Sequence, residues 1–475
     1  MATATAPVAR RGAFGRYRRV HLVGVGGAGM EGLARLLAQM GCRVSGTDQT
    51  SSRVLDELAR DGIEVRVGHD ADALADAELL IHSAAVPADN PELAEAARRG
   101  VPVIERAEAL GELVEPHYTV AVAGTHGKTT TASMVAAILA RTDLDPSVLI
   151  GGWVGGRPQA RLGTGEIFVV EADEYAQSFL RLRAKLAVIT NIENDHLECY
   201  GDEEDLRDAF ARFVGGVPFY GGAIVNGDDE SAREAAVACR GQVVVYGLGE
   251  GAGYRARDVA LSAEGARFDL HLPDRALTRV ELAVPGLHNV RNAVAAAATA
   301  LELGVSGEAV AAGLADFGGV DRRFQVRGCR ANDVLVVDDY AHHPSEVAAA
   351  LAAARNTGRR VVAAFQPHLY SRTERFSKEF AEALATADRV LLAPVYGSRE
   401  APVRGVDSEL IAGALRRAGH GRVEVMASLD EMVGRLESST GPGDLVLTLG
   451  AGDITRVAGA LTRAPDGPPA AGGVN

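Results

Sequence analysis

The sequence predicts an α/β fold of three blocks, each a parallel sheet with crossover helices. Short apolar strands alternate with amphipathic helical stretches along the whole chain, the pattern of βαβ units. The unusual polar clusters fall just after predicted strands, where open α/β sheets bind ligands. At 475 residues the chain is also longer than one hydrophobic core normally organises.

The first block opens with Arg19-Val20-His21-Leu22-Val23 and ends near Leu113. The second opens with Tyr118-Thr119-Val120-Ala121-Val122 and runs to about Gly319. The third opens with Asp333-Val334-Leu335-Val336-Val337 and closes after Leu445-Val446-Leu447-Thr448-Leu449. Breaks at Glu115-Pro116-His117 and Gly318-Gly319-Val320-Asp321 give expected domains 18–115, 116–321 and 322–462. Residues 463–475 are rich in Pro, Gly and Ala, the composition of a disordered tail.

Composition narrows the function. No apolar run reaches the roughly 18 residues of a membrane span. No apolar stretch of signal-peptide length precedes the first strand. A cytoplasmic protein without a membrane partner is expected, as a monomer or weak homodimer. The net charge of −14 argues against a nucleic-acid partner held by phosphate contacts. Cys42, Cys199, Cys239 and Cys329 are widely spaced, which argues against a disulfide framework or a cysteine zinc site. Of 49 basic residues only Lys128, Lys185 and Lys378 are lysine. In a chain that otherwise uses arginine, a lysine reads as needed for its compact ammonium.

In the first block, Gly24-x-Gly26-x-x-Gly29 follows a strand and opens a helix over Met30 to Met40. A second strand, Arg43 to Gly46, leads to Asp48. Read alone, this is a dinucleotide fingerprint with an acidic ribose partner, and an NAD-dependent oxidoreductase is one reading. The same physics holds other diphosphates, because helix-terminal amides and the helix dipole take the anion. His69 and Ser83 follow later strands and are further candidates for this site.

In the second block, the strand Val120–Ala123 precedes Gly124-Thr125-His126-Gly127-Lys128-Thr129-Thr130-Thr131, and an apolar helix over Ala132 to Arg141 follows. This is the arrangement of a phosphate loop, in the shorter GxxGKT form. Backbone amides cradle phosphates, Lys128 neutralises charge and the Thr129 hydroxyl binds magnesium. A glycine turn capping a helix is the plainer alternative, and the lysine bias argues against it. Phosphoryl transfer needs a metal. Candidate ligands follow two later strands, in Glu171-Ala172-Asp173-Glu174 and Asn191-Ile192-Glu193-Asn194-Asp195-His196. Carboxylates suit a hard cation; histidine is an unusual magnesium ligand, so His196 stands open between ligand and structural residue. Asp173, Glu174 and Asp195 read more simply as loop charges or helix caps.

Two further strand ends carry Asp338-Asp339-Tyr340-Ala341-His342-His343-Pro344 and Gln366-Pro367-His368. Gly124–Thr130, Glu171–Glu174, Thr190–His196, Gly286-Leu287-His288-Asn289-Val290-Arg291-Asn292-Ala293, Asp321-Arg322-Arg323-Phe324 and Asp338–Pro344 together resemble the Mur ligase family. Six motifs in order cover nearly the whole chain. Gly24-Val25-Gly26-Gly27-Ala28-Gly29-Met30 and His342-His343-Pro344 are similar to the branch that adds L-alanine to UDP-N-acetylmuramate in peptidoglycan precursor synthesis. The resemblance implies the three-domain Mur ligase architecture: a Rossmann-like N-terminal domain, a central P-loop ATPase domain and a Rossmann-like C-terminal domain. It implies ATP and Mg²⁺ as cofactors and an acyl-phosphate intermediate.

The resemblance also implies residue roles. Gly24, Gly26, Gly27, Gly29 and Met30, with Asp48, His69 and Ser83, would hold the UDP sugar. Gly124, Thr125, His126, Gly127, Lys128, Thr129 and Thr130 would hold the ATP phosphates. Thr129, Glu171 and His196 would serve the metals. His288, Asn289 and Asn292 would face the adenine side, although Asn289 also reads as an N-cap for a helix over Val290 to Leu303. Arg323 would reach the γ-phosphate, and Asp339 would hold the ATP side of the site. Tyr340, His342, His368 and Arg372 would form the alanine pocket, with His342 as the base. Ala341 stands where the family often has glycine, and Leu369 where some relatives have arginine. No lysine lies between Lys185 and Lys378, so the carboxylated lysine of several sister ligases is absent. Two rivals remain at this stage: a non-catalytic nucleotide-binding regulator, and the sister branch that adds a whole tripeptide.

Overall fold

Each block forms its own sheet. The computed structural model describes residues 12–27, 29–195, 199–273, 275–398 and 400–463. In the first sheet, β1 (Arg19–Val23), β2 (Arg43–Asp48), β3 (Glu64–Val67), β4 (Leu79–His82) and β5 (Val103–Glu105) run in the order β3-β2-β1-β4-β5. Every pairing is parallel. The order reverses between β1 and β4, and such a switch point opens a ligand crevice at the strands' carboxyl ends. The helix Met30–Gln39 covers this sheet; Met30, Leu33, Leu36 and Leu37 recur at helical spacing and are fully buried.

The second sheet holds β6 (Tyr118–Ala123), β7 (Ser147–Val154), β8 (Arg157–Arg161), β9 (Ile167–Glu171), β10 (Leu186–Ile189), β11 (Gly222–Asn226), β12 (Gln242–Gly247), β13 (Tyr254–Leu261), β14 (Ala266–Leu272) and β15 (Arg275–Leu282). Its order is β15-β14-β13-β12-β11-β10-β6-β9-β7-β8. The strand before the phosphate loop, β6, therefore lies inside the sheet, between β10 and β9. Its buried Val120, Ala121, Val122 and Ala123 suit a strand covered on both faces.

The third sheet holds β16 (Gln325–Cys329), β17 (Leu335–Asp339), β18 (Arg360–Phe365), β19 (Arg389–Leu392), β20 (Val423–Val425) and β21 (Asp444–Leu449), in the order β16-β17-β21-β18-β19-β20.

The sheets are not purely parallel. β8 returns antiparallel to β7 through Gly155 and Gly156, both at positive φ, as a tight hairpin turn requires. β16 pairs antiparallel with β17, so the third sheet starts ahead of Asp333. Both are polar edge strands, where neither an apolar run nor burial on two faces is needed. Three helix limits also differ from expectation. The phosphate-loop helix is Lys128–Leu139, starting four residues before Ala132, because the buried threonines 129–131 are already helical. The first helix ends at Gln39, with Met40 as its C-cap. A helix starts at Leu287, so Asn289 sits in its first turn and is not an N-cap.

By contacts, the chain divides into two compact units. One takes the chain up to Val259, with Arg267–Leu282 and Asn289–Gly318. The other takes Ala260–Ala266, Ala283–His288 and the chain from Gly319 onward. Among the described residues, no helix is long and apolar enough to cross a membrane.

Candidate active site

The phosphate loop leaves β6 and turns sharply at two glycines. Gly124 has φ +131°, and a Cβ there would fall 2.0 Å from Thr190 Oγ1. Gly127 has φ +81°, and its Cβ would fall 2.5 Å from Asn292 Oδ1. Neither position accepts a side chain. The residues after β10 hold the loop. Thr125 N donates to Asn191 O (2.9 Å), and His126 N donates to Asn191 Oδ1 (2.9 Å). Asn191 Nδ2 and Thr190 Oγ1 donate back to His126 O at 3.0 and 2.6 Å. His126 Nε2 lies 3.5 Å from Glu193 Oε2.

Lys128 is the first residue of the loop's helix. Its ammonium donates to Gly124 O (2.6 Å), Thr125 O (3.0 Å) and both Glu174 oxygens (3.0 and 2.8 Å). Burial disfavours its charge, but Glu174, Asp173 and Glu171 hold its pKa above the ordinary lysine value. Glu174 is thus no solvated loop charge: its side chain is 1% exposed, the buried counter-ion of Lys128. One residue on, Thr129 Oγ1 donates to Glu171 Oε1 at 2.8 Å, while Glu171 Oε2 accepts from Gly151 N at 3.0 Å. Thr130 is buried behind them. Asn289 and Asn292 are also buried, and Asn292 Nδ2 reaches Asn289 Oδ1 at 3.4 Å. His288 folds back over its own turn: a Cβ on Gly286 would lie 2.6 Å from its ring. His196 lies outside the described residues.

The glycine loop of the first sheet closes on itself. Gly26 N donates to Asp48 Oδ2 (3.0 Å), and Gly27 N to Gly24 O (3.1 Å). Asp48 therefore braces this loop with one oxygen and reaches Thr50 N with the other, at 3.4 Å. Gly24 packs so tightly that its Cβ would fall 3.3 Å from Ser83 Cβ. Gly29, at φ +78°, precedes Met30 as the helix N-cap. His69 Nδ1 bonds Glu92 Oε1 at 2.7 Å, and Glu92 is fully buried. Sequence reasoning passed over Arg106, whose guanidinium lies 2.9 Å from where a Gly29 Cβ would stand. It starts a helix more than 70 residues further along the chain, so no local motif contains it.

In the other unit, Arg323 sits between Arg322 and Phe324, both in the left-handed region (φ +60° and +46°). Such strain persists only where neighbours hold it. Asp339 does so: its oxygens accept from Phe324 N and Ala341 N, each at 2.7 Å. Burial pushes the Asp339 carboxyl up to about 6, against the pull of Arg323 and those two amides. The Arg322 and Arg323 guanidiniums lie 4.9 and 5.3 Å from the Tyr340 ring centre. Tyr340, His342 and His368 form a chain of edge-to-face rings 5.2 and 5.7 Å apart, and His368 stacks on Tyr396 at 5.8 Å. His342 Nδ1 faces Tyr340 O at 3.0 Å, which makes Nε2 the basic nitrogen of the neutral ring. Arg372 is buried on the helix Tyr370–Arg375. Tyr396 is a second residue the sequence did not signal.

Comparison with known proteins shows the family. Three family models match in chain order: the Mur ligase family catalytic domain over residues 19–118, the Mur ligase middle domain over 122–300, and the Mur ligase glutamate ligase domain over 322–452. The UDP-N-acetylmuramate–L-alanine ligase of Geobacter sp. (strain M21) is 43% identical over 447 residues, covering 94% of this chain and 97% of its own. That of Salinibacter ruber is 44% identical over 453 residues, covering 94% and 95%. A crystal structure of UDP-N-acetylmuramate-alanine ligase from Thermotoga maritima has TM-score 0.80 at 29% identity, covering 93% of this chain and 98% of that one. A murein peptide ligase from Psychrobacter arcticus has TM-score 0.70 at 26% identity, covering 94% and 99%.

Proposed function

Because the chain belongs to the Mur ligase family, we propose that it joins L-alanine to the lactoyl carboxylate of UDP-N-acetylmuramate, using ATP, in peptidoglycan precursor synthesis. The observation that carries this reading is the phosphate loop, with Lys128 held in place beside the Thr129–Glu171 pair. A carboxylate is a poor electrophile, so it must be activated. The lactoyl carboxylate attacks the γ-phosphate of ATP, ADP leaves, and an acyl phosphate forms. The alanine amine, having lost its proton, attacks the acyl carbon; the tetrahedral intermediate expels phosphate and leaves the amide.

Each residue has a task in that sequence. The loop amides and Lys128 hold the β- and γ-phosphates and offset charge as it develops. The Thr129 hydroxyl and Glu171 carboxylate are two hard oxygen donors 2.8 Å apart, a set that fits magnesium. Thr129 and Glu171 would hold that ion, which would offset the charge of the phosphate oxygens, and His196 would serve a second. Asn289, Asn292 and His288 take the adenine side. Arg323 supplies positive charge to the γ-phosphate, and Asp339 acts by fixing the strained segment that carries it. Tyr340, His368 and Arg372 take the amino acid, and His342 Nε2 removes the amine's proton. We place the activity in the cytoplasm, in a monomer or weak homodimer whose partners are these small molecules.

The test is phosphate release from MgATP, with UDP-N-acetylmuramate and L-alanine each added or omitted. Release should need both. Release without the sugar, or with the tripeptide L-alanyl-γ-D-glutamyl-meso-diaminopimelate but not with alanine, would overturn the reading.

The first unit adds one residue to the sugar site. Gly24, Gly26, Gly27, Gly29 and Met30 receive the diphosphate at the helix start, with Asp48, His69 and Ser83 around it. Arg106, against Gly29, faces the same anion. Arg106→Ala should raise KM for UDP-N-acetylmuramate roughly tenfold or more, the worth of a hydrogen bond to a charged group, and leave KM for ATP unchanged. Initial rates against each substrate measure this; an unchanged KM for the sugar would place Arg106 outside the site.

A further inference from the structure

The hairpin of β7 and β8 is bonded to both ligand-binding elements of the first unit. On the phosphate side, Glu171 takes the Gly151 amide with the oxygen that Thr129 does not use. Ser133, on the phosphate-loop helix, accepts from Gln159 Nε2 at 2.7 Å, and the same amide reaches Gly152 O at 3.2 Å. On the sugar side, Trp153 Nε1 donates to Glu31 Oε1 at 3.0 Å. Gln39 donates to Ala160 O (3.0 Å) and accepts from Leu162 N (2.9 Å). Glu31 and Gln39 stand near the two ends of the helix Met30–Gln39. Between them Gly32 meets the hairpin so closely that a Cβ would fall 2.4 Å from Leu149 Cδ1.

The details exceed what packing alone needs. Glu31 is buried, and a buried carboxylate is costly unless its oxygens are bonded. Arg35 takes one oxygen at 2.7 Å, and the only tryptophan of the chain takes the other. Apolar packing would be served by phenylalanine; the indole N–H is what reaches Glu31. The pairing of β7 with β8 slips between Ile150 and Trp153, a bulge of the kind that re-aims a side chain. Within that bulge Gly151 turns its amide to Glu171, and two residues later Trp153 turns to Glu31.

We propose that Trp153 and Glu31 are positioning residues for the ligation. Through their bond the hairpin sets where the sugar-binding helix stands relative to the Thr129–Glu171 pair. The proposal rests on the assignment of those two sites given above. Attack on the γ-phosphate requires the lactoyl oxygen in line, and a misplacement of about 1 Å costs roughly a hundredfold in rate.

The test uses the full chain. Trp153→Phe should lower kcat for ligation by roughly ten- to a hundredfold, with KM for ATP within about twofold of wild type; the oxygen left unbonded on Glu31 lowers the unfolding temperature, with the protein still folded at the assay temperature. Glu31→Ala should give at least that loss, because it also removes the Arg35 ion pair, and adding Trp153→Phe to it should give no further loss, because the bond between the two is already gone. Trp153 is also the sole indole, so its emission should shift when UDP-N-acetylmuramate binds without ATP, and Glu31→Ala should abolish that shift while the sugar still binds by calorimetry. Wild-type kcat in Trp153→Phe, additive losses in the double variant, or an emission shift that survives Glu31→Ala would each overturn the proposal. Failure of the wild type to release phosphate with sugar and alanine would instead overturn the assigned reaction.

Discussion

Lys128→Ala is expected to lower ATP-driven ligation by roughly a thousandfold, the effect of losing a preorganised charge at a developing anion. Lys128 is held for that task. Its ammonium is shared among two loop carbonyls and the Glu174 carboxylate, and it is charged throughout the working range. Incoming phosphate oxygens would take over bonds now made to Gly124 O and Thr125 O. The substitution has a second consequence. It strands Glu174, 1% exposed, as a buried carboxylate without its counter-ion, and breaking such a pair costs about 3–5 kcal/mol. Activity could then fall merely because the protein unfolds. Lys128→Ala combined with Glu174→Gln separates the two effects. The double variant should recover most of the unfolding temperature and none of the phosphate release, while both variants still bind UDP-N-acetylmuramate by calorimetry. Normal turnover in Lys128→Ala would end the case for this loop as the ATP site.

Chemistry confined to a short stretch was legible in the sequence. The phosphate loop, with Lys128 and Thr129, could be read because a cradle of amides followed by Lys-Thr must be contiguous. Parallel pairing could be expected, since apolar runs alternate with helices, but not the pairing at the edges. Arg157-Pro158-Gln159-Ala160-Arg161 has no apolar run, yet it is β8, an edge strand that needs only one paired side. Partnerships across long sequence distances left no trace. Glu174 read as a solvated charge until its neighbour 46 residues away was known to be Lys128. Glu31 and Trp153 are 122 residues apart. Asp339 read as a ligand contact, and nothing local showed that one of its oxygens also accepts from Phe324 N, 15 residues away, beside Arg323. A sequence names the residue types chemistry needs; the fold decides which of them meet.

Glu92→Ala should cause the largest loss of stability among single changes near the proposed sugar site. Glu92 is fully buried at the start of the helix Pro91–Arg99. Its oxygens bond His21 Nε2 at 2.6 Å, His69 Nδ1 at 2.7 Å and Thr47 Oγ1 at 2.9 and 3.0 Å. One carboxylate thus ties β1, β2 and the segment after β3 to a helix. His21 is itself 1% exposed and would lose this partner with no water to replace it. Removing one member of such a buried charged cluster costs about 3–5 kcal/mol, which corresponds to roughly 10 °C in unfolding temperature for a unit of this size. The pH dependence has a definite sign. Burial raises the cost of the Glu92 charge, but the bonds from His21, His69 and Thr47 hold its pKa below the ordinary glutamate value. A depressed folded value means that the stabilisation is present above the unfolded value of about 4.3 and is lost as pH falls through the folded one. The gap in unfolding temperature between wild type and Glu92→Ala should therefore be full at pH 7 and narrow on acidification below about pH 4. A gap equally wide in acid would mean that the side chain acts by filling space and that its charge is incidental.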